Sequence, residues 1–392
     1  MATTSRCVSA AVFTINTLAV SAATAHWTVT SLHPAGANYS YGWGTGGIQQ
    51  VGETFSGGRK RATLWTQTAA SRVDLHPLLA VNSWANGTNG SQQVGVARAS
   101  GVNRASLWSG TAASWVDLNP VGSSNSSANA MTDTIQVGFA TVNGLDRASL
   151  WRGTAASWVD LTPPGSGTGG SNVLGASGSM QVGFADVNGT TRASLWSGTA
   201  DSWVDLHPPQ AEFSYAHGVS DSQQVGRAYI SLDWRASLWS GSAASWVDLS
   251  PPGSTDGNAM AVNGGYQVGW VRLNGITRAS LWRGTPESWV DLNAFLPPRF
   301  GSATATGITT DGVNIYIIGY GSSTTTEALL WTGPIVPSCP ADFNRDGSAD
   351  FLDFLAFVEA FIARVPSADY NNDTSIDFFD YLDFADAFST GC

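Results

Sequence analysis

Lysine is almost missing from this chain: Lys60 stands alone beside 17 arginines, and the net charge is −11 over 392 residues. Without a basic patch there is no phosphate footprint, so nucleic acid is excluded as a partner. No stretch is long and apolar enough to cross a membrane. Also missing are a Gly-x-Ser-x-Gly elbow, a His-Glu-x-x-His zinc motif and a phosphate-binding loop, which removes the local signatures of three large enzyme classes. Cysteine is limited to Cys7, Cys339 and Cys392.

Residues 1–25 read as a secretory signal peptide. Arg6 precedes an apolar stretch from Val8 to Ala22, and Ala23-Thr24-Ala25 offers small residues for cleavage. Removing that segment takes Cys7 with it and leaves Cys339 and Cys392 as an even pair in an oxidising compartment, so a secreted or cell-surface protein with one disulfide is expected.

Acidity is concentrated at the other end. Residues 339–392 hold eleven Asp and Glu against Arg345 and Arg364, so they supply −9 of the −11. Within them one loop occurs twice, 27 residues apart. The first copy places oxygen side chains on Asp342, Asn344, Asp346, Asp350 and Asp353, with Ser348 at the position that binds through its backbone carbonyl. The second repeats this as Asp369, Asn371, Asp373, Asp377 and Asp380, with Ser375 at the carbonyl position. Positions 1, 3, 5, 7, 9 and 12 are the spacing that a hard cation seeking six to eight oxygens requires, so two Ca²⁺ are expected. Thr374 replaces the turn glycine of the second loop, which is therefore the weaker site.

An amphipathic helix follows each loop: Phe351, Phe354, Leu355, Val358, Phe361 and Ile362, then Phe378, Tyr381, Leu382, Ala385 and Phe388. No comparable helix precedes either loop, so each unit is half an EF-hand. From Asp342 to about Phe388 the tandem resembles the dockerin module, which implies a cohesin-like protein partner. Dockerin-like helices meet that partner through loop positions 10 and 11, which here are Phe351, Leu352, Phe378 and Phe379.

The remaining chain repeats with a period of 43 to 45 residues, the last step being 49. Arg-Ala-Ser-Leu-Trp or a close variant ends at Trp65, Trp108, Trp151, Trp196, Trp239, Trp282 and Trp331. A Gln-Val-Gly strand comes before it, a Val-Asp-Leu strand after it in six units, and a small-residue segment opens each unit. Four short strands per unit at this period describe a propeller blade. The chain starts with a lone fourth strand, Trp27 to Leu32, and ends with a unit that stops after its third, so the two ends should complete a seventh blade together. The pattern is similar to the extracellular HAF repeats, a likeness that implies export rather than a reaction.

The expected architecture is thus all-β, a seven-bladed propeller over residues 26–333, followed by a linker at 334–338 and a small all-α dockerin-like tandem at 339–392. Within a blade, Arg104 should reach Asp117 diagonally across two strands. The pairs Arg147–Asp160, Arg192–Asp205, Arg235–Asp248 and Arg278–Asp291 should repeat this as structural ion pairs. His33, His76 and His207 read as turn residues. His217 opens the first strand of its blade, where a central funnel would be lined. Asp133, Asp221 and Asp311 are the other non-repeated groups near that funnel. With no nucleophile–base pair in view, the functional expectation is a secreted non-catalytic binding or scaffold protein, part of an extracellular polysaccharide-binding or -degrading system. The alternative is a carbohydrate-active enzyme, a glycoside hydrolase or polysaccharide lyase, with its site in the funnel.

Overall fold

The computed structural model describes residues 27–220, 222–335, 341–344, 349–371 and 375–390. Residues 1–26 with Cys7, on which the expected signal peptide falls, the pair Cys339 and Cys392, Asp221, and the loop residues Asp346, Ser348, Asp373 and Thr374 lie outside them.

Seven four-stranded antiparallel sheets form the propeller. In the second blade the order from inside to outside is Ala80–Thr88, Gln93–Ala99, Val102–Trp108 and Val116–Asp117. Blades one to six span residues 39–74, 80–117, 125–160, 166–205, 213–248 and 254–291. The seventh takes three strands from residues 302–334 and its outermost from Thr28–Ser31, with Val29 opposite Trp331. Around this closure Trp27 stacks on Phe295 at 5.8 Å and Leu32 is fully buried. On the inner side, Thr306 donates its hydroxyl to the Gly42 carbonyl at 2.9 Å, joining blade seven to blade one.

Each recurring residue has an architectural partner. Trp65, Trp108, Trp151, Trp196, Trp239, Trp282 and Trp331 are all at 0% exposure. Trp108, for instance, fills the space between Val51, Ala62 and Leu64 of blade one and Ala85 and Ala97 of its own blade. The Ala105 N–H of the same motif donates to Ser126 of the next blade at 2.8 Å, as Ala62, Ala148 and Ala193 do to Ser83, Ser171 and Ser214. Ser106 takes the indole N–H of Trp115 at 2.9 Å and passes its own proton to the Arg104 carbonyl. The glutamine of Gln-Val-Gly accepts the Gly110 N–H through Gln93 at 2.8 Å, and this too recurs around the ring.

The glycine of Gln-Val-Gly answers to a different constraint. The first strand of every blade carries a β-bulge, a register shift such as that between Ala128 and Ala130. The bulge turns one carbonyl toward the neighbouring strand. A Cβ on Gly138 would sit 1.9 Å from the Ser127 oxygen, and six other blades give 1.9 to 2.1 Å. No residue but glycine fits there.

The ion pairs form in four of the five expected places, and Arg61 adds a further one with Asp74 at 2.8 Å. Arg235 departs from the expectation: it bonds Asp233 at 3.1 Å rather than Asp248. In this blade alone a carboxylate stands two residues earlier on the same strand face, where other blades have Val102, Leu145, Thr190 or Ile276.

Two thirteen-residue helices, α1 (Phe351–Ala363) and α2 (Phe378–Thr390), form the C-terminal unit. They meet through equivalent residues 27 apart: the rings of Phe357 and Phe384 stack with centroids 4.1 Å apart, both fully buried. Phe343 and Tyr370, also equivalent, pack edge-on against them. Among the described residues no helix is long and apolar enough to cross a membrane.

Candidate functional site

The seven innermost strands enclose a central channel of about 490 Å³. Its geometry follows from the bulges. Each one pushes a single residue out of register between two small neighbours, and the seven residues so displaced are Trp43, Asn86, Asn129, Leu174, His217, Met260 and Thr306. All seven line the channel. The following position is always Gly or Ala, because the blades crowd at the axis: a Cβ on Gly44 would lie 2.7 Å from the Asn86 carbonyl, and one on Gly175 2.5 Å from that of His217.

Where the framework repeats nearly identical residues, the seven residues of this ring are of six kinds, asparagine alone occurring twice, at Asn86 and Asn129. Three of them lock blade to blade, Asn86 to the Ala128 carbonyl, Asn129 to that of Val173 at 2.8 Å, and Thr306 as described. Trp43 stacks against Tyr41 and meets Tyr320 edge-on, forming an aromatic wall on one side. Opposite in character, His217 is half-buried and takes an amide N–H of Asn258 at Nε2, 3.3 Å away. Burial, with the nearby Arg227 charge second, pulls its imidazole down to about 3, so it is neutral at ordinary pH. Sequence reasoning singled out His217 but missed the other six. The signal was there: each lies eight residues before the valine of Gln-Val-Gly, or twelve before Ile318 in the last blade.

Asp133 and Asp311 do not approach this ring. Asp133 sits in a turn and accepts the amide of Asn89 at 3.0 Å. Asp311 accepts the Val313 and Asn314 N–H groups and the Tyr316 hydroxyl, which hold its carboxyl down to about 2. His33, His76 and His207 occupy equivalent turns, each with Nδ1 on a serine seven residues ahead.

In the C-terminal unit Asp353 and Asp380 are fully buried at the twelfth position of their loops. Asp353 accepts the Asn344 and Asp350 N–H groups, and Asp380 those of Tyr370, Asn371 and Asp377, at 2.7 to 3.2 Å. Asp350 and Asp377 in turn accept the N–H groups of Leu352 and Phe379, so these carboxylates start the helices. Both oxygens of Asp353 and the Oδ2 of Asp380 keep a further lone pair, and the donor set is all oxygen, so the residues fit a hard cation. Among the described residues no cage of three His, Cys, Asp or Glu side chains is assembled, and residues 345–348 and 372–374 fall outside that description. Phe351, Leu352, Phe378 and Phe379 are each more than half exposed.

Fold and channel together define a seven-bladed propeller closed by its N-terminal strand. Solved structures agree on the fold. Puromycin hydrolase aligns with a TM-score of 0.53 at 13% identity, over 77% of this chain and 54% of that one. The β-propeller domain of the Trilobed protease from Pyrococcus furiosus, described as an open velcro topology, aligns at 0.51 and 9%, over 76% and 97%. Oligogalacturonate lyase in complex with manganese aligns at 0.50 and 10%, over 80% and 95%. This chain therefore spans about half the length of the hydrolase and nearly all of the other two. No family model and no curated protein sequence matches.

Proposed function

We propose that this chain is an exported binding protein whose propeller holds one ligand at its axis, joined to a calcium-binding, dockerin-like helical pair. The observation that carries the reading is the ring of side chains, six kinds at seven positions, inside an otherwise repeating frame. A structural device recurs blade after blade, whereas a recognition surface is needed once. The repeated oxygen positions and the buried Asp353 and Asp380 support two Ca²⁺. The exposed Phe351, Leu352, Phe378 and Phe379 support a cohesin-like protein partner, and Cys339 with Cys392 a disulfide tying the module's ends. Polysaccharide is the ligand class in keeping with an aromatic-walled polar channel.

A glycan array on the full-length protein tests the axial site. Binding with one ligand per chain is expected, weakened about tenfold or more by Trp43→Ala or Leu174→Arg. Seven equivalent sites per chain, or indifference to both substitutions, would refute it. A second reading, a carbohydrate-active enzyme, draws on Asp256, whose carboxyl burial pushes up, two residues before the Asn258 that bonds the neutral His217. Polysaccharide cleavage abolished by Asp256→Asn would favour it over binding alone.

A further inference from the structure

Between blades five and six, next to His217 in the channel wall, lies a group of polar atoms that the protein itself leaves unserved. Arg227 pairs across the sheet with Tyr215. Its guanidinium lies 4.1 Å from the centre of the Trp234 ring and 5.2 Å from that of Tyr215. Arg61, Arg104, Arg147, Arg192, Arg235 and Arg278 all have a carboxylate within 4 Å, and Arg227 has none among the described residues. Its Nε is buried with no acceptor.

Two acceptors nearby match this vacancy. Asn258 is only 5% exposed; its amide nitrogen faces His217 Nε2 and the sulfur of Met260, while Oδ1 has no donor. Asp256, two residues earlier on the same strand, has a buried Oδ1 with no donor either. Leaving such groups dry is costly, so a ligand that serves them is strongly favoured.

We propose, building on the axial-binding reading, that this boundary is a subsite for a hexuronate unit of an acidic saccharide. The carboxylate accepts from Arg227, and hydroxyls donate to Asn258 Oδ1 and Asp256 Oδ1. A neutral sugar leaves Arg227 without an anion, and a plain carboxylate leaves Asn258 and Asp256 without donors. A phosphate dianion brings a second negative charge toward Asp256. A hydroxylated monoanion serves all three groups and gives Arg227 a charge-assisted acceptor that a neutral hydroxyl does not.

The test is calorimetry on the full-length protein with trimers of galacturonate, mannuronate and guluronate, each with its methyl ester, which keeps the hydroxyls and removes the charge. At least one acid should bind, and its ester about tenfold or more weakly. Arg227→Met should abolish the preference for acid over ester. Asn258→Asp, which keeps size and adds a repelling charge, should weaken the acid at least tenfold, with cooperative unfolding retained at a lower temperature. Equal affinity for acid and ester, or full binding in both variants, overturns the subsite, as does failure of every acid to bind. Neutral glycan binding that Trp43→Ala removes and Arg227→Met does not would overturn the subsite while the axial reading stands.

Discussion

In the propeller, the residues that recur are those that bond to one another. Arg104 holds Asp117, Ser106 holds Trp115, Gln93 holds Gly110, and the channel is lined by what does not recur. In the C-terminal pair the recurring carboxylates Asp350 and Asp377 cap α1 and α2, and the proposed function gives the repeated oxygens to an ion. Repetition therefore carries different information in the two regions. A propeller has one axis shared by seven units, so each copy contributes a fragment of a single site. On the calcium reading proposed above, each half EF-hand encloses its own site, so each copy carries a whole one.

The strongest way to break the comparison is to open the ring. Deleting residues 27–32 removes the outer strand of blade seven and exposes the edge at Leu329 to Thr332. Aggregation or loss of cooperative unfolding by calorimetry is expected, whereas removing residues 339–392 should leave the propeller transition nearly unmoved. Next in size, Trp151→Ala empties a fully buried site and should lower stability by about 3–5 kcal/mol in denaturant unfolding, while Leu174→Ala at the axis costs less and acts on binding. An equal stability loss at both positions would erase the distinction between frame and ring.

Calcium sharpens the other half. Adding Ca²⁺ to the full-length protein should raise helical ellipticity and show two sites by calorimetry, with chelator reversing both. Asp380→Ala should remove the weaker one and leave the first. Helicity already complete in chelator would mean that the carboxylates serve as caps alone. A smaller effect is expected from Arg104→Met, whose ion pair is part-exposed and screened, at about 1 kcal/mol or less, with little salt dependence left in the variant.

The smallest effect concerns pH. Asp311 is held below its ordinary value of 3.8, down to about 2, by the Asn314 and Val313 N–H groups and the Tyr316 hydroxyl. Its contribution is fully present above that ordinary value and disappears as pH falls through about 2. Thermal unfolding of Asp311→Asn should lack the part of the decline that the parent shows between those limits.

Blade count, strand order and closure were legible because Arg-Ala-Ser-Leu-Trp and Gln-Val-Gly mark fixed places in each sheet, and the lone strand at Trp27 needs an edge. The Arg235–Asp233 exchange was not, since it depends on which carboxylate lies nearer along one face. The axial ring was hidden for another reason. A bulge breaks strict alternation by one residue, so Asn129 and Leu174 look like ordinary strand positions until the register is known. Only the glycine of Gln-Val-Gly, forced by the displaced carbonyl, recorded the bulge in the sequence.

That bulge also makes the ring easy to rewrite. Each blade offers one socket, followed by a small residue that preserves the backbone path, and at Trp43 and Leu174 the side chain in it makes none of the sheet's hydrogen bonds. Substitutions there change what the channel meets without touching the blade's own bonds. Seven such sockets, varied one at a time, let a lineage explore new ligands on an unchanged frame, and they offer a designer the same freedom.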